Sequence, residues 1–123
     1  MIQRHAYGAL MRLAEQFPVI AITGPRQSGK STLAQAAFPN KRYISFDDKN
    51  YRELAKSNAG DFLKAFPDGL IIDEAQKVPE IFDAIKLIVD RNSYTPGKYI
   101  LTGSSQFRLK ENSTDSFAGR IRI

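Results

Sequence analysis

The sequence predicts an α/β fold, a parallel sheet covered by helices on both faces, and three observations carry that expectation. Short apolar runs of strand type occur at residues 19–23, 43–47, 70–74 and 99–105. Segments with apolar residues at helical spacing separate them. Strands alternating with helices of this length imply right-handed crossovers, and hence parallel strands with helices on both sides. The third observation is a glycine-bounded loop, Gly24-Pro-Arg-Gln-Ser-Gly-Lys-Ser-Thr32, set between the first strand and the helix after it.

Taken in order, Ile2, Ala6, Ala9, Leu10, Leu13, Ala14 and Phe17 recur at helical spacing, which predicts an amphipathic helix over the first sixteen residues. Pro18 stops it. Val19–Thr23 is the first strand, and Ser31 to about Phe38 is a run of helix formers broken by Pro39-Asn40. Tyr43-Ile-Ser-Phe-Asp47 alternates as a strand. Asp47 or Asp48 can then cap a helix through Tyr51, Leu54 and Ala55, and residues 58–60 divide it from another helix that ends at Pro67. The Asp68-Gly69 turn leads into Leu70-Ile-Ile-Asp-Glu74, a buried strand with acids at its tip. Pro79 suits the first turn of the next helix, whose buried stripe is Ile81, Phe82, Ile85, Ile88 and Val89. Residues 92–98 form a turn-rich loop. Tyr99-Ile-Leu-Thr-Gly-Ser-Ser105 is the fourth strand, a polar stretch covers residues 106–119, and Arg120-Ile-Arg-Ile123 begins to alternate as a fifth. No internal repeat or low-complexity segment occurs.

Composition bounds the function. At 123 residues with 42% hydrophobic and 25% charged content, the chain is expected to be one soluble globular domain. No apolar run approaches the roughly 18 residues of a membrane span, and the amino terminus lacks a secretory pattern, so the expected location is the cytoplasm with no membrane partner. Zero cysteines exclude disulfides and thiolate metal sites, and a single histidine, His5, excludes a His-based zinc site or a His-dependent triad. Eighteen Lys and Arg against thirteen Asp and Glu give a net charge of +5. That surplus can attract nucleic acid or neutralise bound phosphates, and its scatter along the chain resembles an ordinary solvated surface.

Gly24–Thr32 satisfies G-x-x-x-x-G-K-[ST], whose backbone N–H groups wrap a nucleotide's phosphates. Four specified positions coincide by chance on the order of a few times in a thousand chains of this length. Gly24 and Gly29 let the backbone turn tightly and approach the anion, and the following helix offers the positive end of its dipole. Lys30 would reach the β- and γ-phosphates. Ser31 is the expected magnesium ligand, because that ion prefers oxygen donors, and Thr32 is expected near the α-phosphate. Pro25, Arg26, Gln27 and Ser28 complete the nucleotide-binding loop, with Arg26 and Gln27 facing solvent rather than acting in catalysis.

Leu70-Ile-Ile delivers Asp73 beside that loop, where a carboxylate can hold magnesium directly or through water. Glu74 follows as a candidate general base for the water that attacks the γ-phosphate. Thr102, Ser104 and Ser105 end the next strand at the same sheet edge. There a hydroxyl could orient that water or sense the γ-phosphate, and Ser104 is the first choice among them.

Four motifs now stand together: Gly24 to Thr32, Asp73-Glu-Ala-Gln-Lys-Val-Pro-Glu80, Leu101-Thr-Gly-Ser-Ser-Gln106 and Ser116-Phe-Ala-Gly-Arg120. In order and spacing they resemble prokaryotic AAA-type P-loop ATPases whose amino-terminal ATPase domain precedes a carboxy-terminal domain of unknown function. The resemblance covers essentially the whole chain. It implies a three-layer P-loop NTPase core, AAA- or RecA-like, with parallel strand order 5-1-4-3-2. It also implies ATP and magnesium as ligands, with Walker A and Walker B roles for the loop and the acidic strand tip. Arg120 stands where AAA ATPases carry an arginine, shortly before the fifth strand, that reaches a neighbouring subunit's γ-phosphate. The resemblance therefore adds Arg120 as a candidate finger in a homo-oligomer.

Against the family pattern, the chain ends at Ile123, which predicts a truncated form with an incomplete fifth strand and a first strand left partly unpaired. Three functions stay open. One is ATP hydrolysis driving a conformational switch or the remodelling of an unknown protein or nucleic-acid partner. The others are a nucleotide-dependent binding module on DNA with little turnover, and a small-molecule kinase.

Overall fold

The structure, a computed structural model, describes residues 4–25, 28–91, 95–104 and 118–123. Its elements in chain order are α1 (Arg4–Gln16), β1 (Val19–Thr23), α2 (Lys30–Ala37), β2 (Tyr43–Ser45), α3 (Lys49–Ser57) and α4 (Ala59–Lys64). There follow β3 (Leu70–Asp73), a 3-10 turn (Ala75–Lys77), α5 (Glu80–Arg91), β4 (Tyr99–Gly103) and β5 (Ala118–Arg122). Ile2, Arg26, Gln27, residues 92–94, Ser105 and residues 106–117 lie outside the described residues.

Every strand pair is parallel, and the sheet runs β2-β3-β4-β1-β5, the implied order read from its other edge. Because side chains alternate along a strand, each inner strand feeds two cores at once. Val19 and Ala21 of β1, Leu70 and Ile72 of β3, and Tyr99 and Leu101 of β4 pack with Ala55, Phe62, Leu63, Ile81 and Ile85 from α3, α4 and α5. The intervening Ile20, Ile22, Ile71 and Ile100 pack with Leu10 and Ala14 of α1 and with Leu33 and Ala34 of α2. Three layers result, as the alternation of strands and helices predicts.

Local signals set most boundaries. Asp48 caps α3, its side chain accepting from the Asn50 backbone N–H at 2.9 Å. Asn58 ends α3 and caps α4 by accepting from the Asp61 N–H at 3.0 Å. By contrast α2 begins after Gly29 with no side-chain cap. A cap contributes about 1 kcal/mol, whereas full burial of a leucine such as Leu33 contributes about 1.5–3 kcal/mol. Packing therefore holds α2, and its first N–H groups stay open to an anion.

Gly69 brings β3 against the start of β4. Its φ is +94°, and a Cβ there would sit 1.9 Å from the Lys98 carbonyl oxygen, which accepts from the Leu70 N–H at 3.2 Å. Only glycine permits that approach.

Four strand boundaries differ from the sequence expectation. β2 stops at Ser45, where the Ser45 hydroxyl accepts from the Asp47 N–H and the chain turns toward the Asp48 cap. β4 ends at Gly103, so Ser104 follows the strand instead of belonging to it. β3 stops at Asp73, because Glu74 takes a left-handed conformation with φ 54° and ψ 48°. The fifth strand is not confined to its opening: it starts at Ala118 and matches all five residues of β1, from Val19↔Ala118 to Thr23↔Arg122. With β4 on its other side, β1 is paired along both edges. The glycine makes the early start possible, since a Cβ on Gly119 would lie 2.8 Å from the Phe17 ring of the segment following α1.

Candidate functional site

Parallel strands place their carboxyl ends at one edge of the sheet, and there the chain collects its polar side chains. The Gly24 N–H donates to the Gly103 carbonyl at 3.2 Å, tying the start of the loop to the end of β4. A Cβ on Gly24 would lie 2.9 Å from the Ser28 hydroxyl and 3.2 Å from the Ile123 carbonyl, so the loop closes tightly over glycine. Gly29, at φ 86°, turns the chain into α2. The Ser28 hydroxyl is buried with no hydrogen-bond partner among the described residues. Leaving such a group unpaired costs about 1–3 kcal/mol, which an oxyanion in the loop would relieve.

Lys30 opens α2 and is only 5% exposed. Its ammonium lies 3.6 Å from the Glu74 carboxylate, itself 8% exposed as a residue. Glu74 adopts a conformation that costs a non-glycine residue about 1–2 kcal/mol, which marks it as a position held by its surroundings. Gln76 Nε2 donates to the second carboxylate oxygen at 2.6 Å, and the Glu74 N–H donates to Thr102 Oγ1 at 3.4 Å.

Asp73 is held from both neighbouring strands. Thr102 on β4, fully buried, donates its hydroxyl to Asp73 Oδ1. Tyr43 on β2 donates to Asp73 Oδ2 at 2.8 Å and accepts from the Ser31 hydroxyl of α2 at 3.3 Å. Burial raises the Tyr43 pKa above its ordinary value; the bond from Ser31 opposes that rise, and the bond to Asp73 with its charge reinforces it. At neutral pH the phenol therefore stays a donor.

A cavity of about 320 Å³ joins these groups, lined by Ser28, Gly29, Lys30, Ser31, Thr32, Asp47, Asp73 and Glu74. Asp47 is paired with Lys77 on the 3-10 turn. A larger cavity, about 710 Å³, lies at the opposite sheet edge between α4, α5 and the start of β4. Volume is the weaker criterion here, because the smaller cavity sits at the strands' carboxyl ends with the convergent lysine, hydroxyls and acids.

Of the residues singled out in the sequence, Ser28, Gly29, Lys30, Ser31, Thr32, Asp73 and Glu74 come together around one cavity. Pro25 is exposed beside it, and Arg26 and Gln27 lie outside the described residues. Ser104 is half-buried after β4, while the hydroxyl that contacts Asp73 and the Glu74 backbone belongs to Thr102. Arg120 does not precede the fifth strand; it sits in the middle of β5, opposite Ala21, and is exposed. Tyr43, Asp47 and Gln76 are members the sequence reading missed. For Tyr43 no local signal existed, since its partners Ser31 and Asp73 lie 12 and 30 residues away in the chain.

Residues 16–123 match the family described as the AAA domain. Uncharacterized proteins of Mycobacterium bovis and Mycobacterium tuberculosis are each 32% identical over 122 residues, which is 98% of this chain and 27% of theirs. The chain thus spans about a quarter of the length of these curated relatives. The crystal structure of a DNA replication initiation factor superposes over 97% of this chain and 44% of its own, with a TM-score of 0.54 and 22% identity, a likeness of fold. A sheet ordered β2-β3-β4-β1-β5, a glycine-bounded loop after β1 and a family match over nearly the whole chain lead to one conclusion: the chain belongs to the AAA domain family, a nucleotide-binding domain of ATPase type.

Proposed function

We propose that this domain binds ATP with magnesium at the 320 Å³ cavity and hydrolyses it, using the cycle to switch its conformation or remodel a partner. The observation that carries the proposal is the burial of Lys30 against Glu74 directly beside the phosphate loop. A buried ammonium with one carboxylate counter-ion at the N-terminus of an uncapped helix is a receptor for a polyanion. The unpartnered Ser28 hydroxyl and the closely approached Gly24 fit a cradle for phosphate oxygens.

The donor set also fits magnesium. Ser31 and Asp73 offer a hydroxyl and a carboxylate, the hard oxygen ligands that ion selects, and both already meet at the Tyr43 hydroxyl. When bound, the ion neutralises charge on the β- and γ-phosphates. Lys30 holds the same phosphates through its ammonium as Walker A lysine, and Asp73 is the Walker B acid. Glu74, relieved of its ion pair once Lys30 engages phosphate, accepts a proton from the attacking water as general base. Thr102 keeps both acids in place through its contacts to the Asp73 carboxylate and the Glu74 N–H.

Arg120 in this proposal acts in trans in a homo-oligomer, reaching a neighbour's nucleotide from the exposed side of β5. The domain belongs, on the same reading, to a longer cytoplasmic prokaryotic protein whose carboxy-terminal portion contacts the partner. Calorimetric titration with magnesium and ATP tests the core of it. Wild-type protein is expected to bind with saturation and release phosphate, and Lys30→Ala to lose both. Wild-type protein that is demonstrably folded and gives no binding would overturn the assignment.

A further inference from the structure

The Tyr43 hydroxyl joins two groups that belong to different layers of the fold. Ser31 rides on α2, Asp73 ends β3, and the phenol oxygen accepts from the first at 3.3 Å and donates to the second at 2.8 Å. On the other flank Thr102 occupies the second oxygen of Asp73. The carboxylate is therefore gripped by a hydroxyl from each adjacent strand, β2 and β4, with one lone pair of each oxygen engaged. What remains of its acceptor capacity is available to the cavity that Asp73 and Ser31 both line.

We propose that Tyr43 is a positioning residue for the divalent cation. Its hydroxyl would hold the carboxylate of Asp73 and the hydroxyl of Ser31 in place toward the cavity that a magnesium ion would enter. The inference rests on the nucleotide reading above and adds to it a residue outside the phosphate loop and the acidic strand tip. Packing alone does not account for the contact. A phenylalanine would fill the same space against the α1 and α2 side of the sheet, where the Tyr43 ring is partly buried, yet would leave Asp73 Oδ2 and Ser31 Oγ without this shared partner. Partners that orient metal ligands from behind commonly contribute 10- to 100-fold in metal affinity. Tyr43 differs from the usual case in serving two ligands with one oxygen.

The test is the magnesium dependence of ATP binding to wild type and Tyr43→Phe, measured by calorimetry in a magnesium series and in excess chelator. In chelator the two proteins are expected to bind ATP within about twofold of each other, because the phosphate loop and Lys30 are untouched. The magnesium concentration that half-restores tight binding is expected to rise about tenfold or more in Tyr43→Phe. A merely structural tyrosine would weaken both conditions together or neither. An unchanged magnesium midpoint, or a lower one, overturns the inference, as does a Tyr43→Phe protein that no longer unfolds cooperatively. Wild-type protein that binds no nucleotide in either condition brings down the site assignment itself, a separate and recognisable result.

Discussion

Replacing Glu74 by glutamine should weaken the empty protein and tighten its grip on nucleotide. At 3.6 Å, with an effective dielectric constant of about 20, the attraction between Lys30 and Glu74 is about 4–5 kcal/mol before desolvation is subtracted. The two side chains are 6% and 10% exposed, so screening by solvent is slight. Breaking a buried pair outright costs about 3–5 kcal/mol. Glutamine keeps one oxygen acceptor, but Gln76 already donates to the carboxylate at 2.6 Å, and one amide oxygen cannot serve both Gln76 and Lys30 well. The expected loss in the empty protein is therefore smaller, about 1–3 kcal/mol. For a domain of this size that lowers the thermal midpoint by about 3–6 °C per kcal/mol. In the nucleotide complex Lys30 has phosphate as counter-ion, and the loss disappears. By the thermodynamic cycle, ATP should bind Glu74→Gln about 5- to 150-fold more tightly than wild type, while hydrolysis falls away. Differential scanning calorimetry of the empty proteins and isothermal titration with ATP and magnesium read the two arms. An unchanged midpoint together with unchanged affinity would refute the coupling of Lys30 to Glu74, and full turnover would remove Glu74 as the base.

The remaining predictions concern stability. Gly69→Ala places a Cβ 1.9 Å from the Lys98 carbonyl at φ +94°, so β3 and β4 must part at their start. Urea unfolding should show a loss exceeding about 3 kcal/mol, beyond the penalty for the left-handed conformation alone. Burial pushes the Tyr99 pKa up to about 12 from its ordinary value of 10.0. The folded state thus favours the protonated phenol, and this contribution is fully present below pH 10 and is lost as pH rises to about 12. Tyr99→Phe should consequently lose less stability than wild type between those limits, checked by denaturant midpoints measured across the range.

The local signals in the chain proved reliable where one interaction dominates. Short apolar runs placed β1, β3 and β4, because a strand covered by helices on both faces buries the side chains of both. Asp47 or Asp48 marked the start of α3 and residues 58–60 its division from α4, and the structure puts the caps on Asp48 and Asn58, because a side-chain oxygen satisfying a backbone N–H is a contact between near neighbours in sequence. The glycine-bounded loop was equally legible as a motif, since Gly24, Gly29 and Lys30 lie close together in the chain.

Other features depend on residues far apart in the sequence. Glu74 leaves β3 for a left-handed conformation that sequence reading did not anticipate, and Thr102 and Gln76 hold it there. Nothing local to Tyr43 distinguishes a core tyrosine from one whose hydroxyl spans Ser31 and Asp73; the pairing of β2 with β3 and the packing of α2 decide that. Choosing Thr102 over Ser104 likewise depends on β4 lying beside β3, which sets a buried threonine hydroxyl against an acid. The start of β5 at Ala118 depends on Gly119 fitting beneath Phe17, a contact between chain segments with no short-range signature. Sequence by itself thus determined the layered α/β fold and nominated the loop residues that the structure gathers around one cavity. Tertiary structure alone decided which hydroxyls and carboxylates meet, because hydrogen-bond geometry is settled by strand neighbours and helix packing that no local pattern encodes.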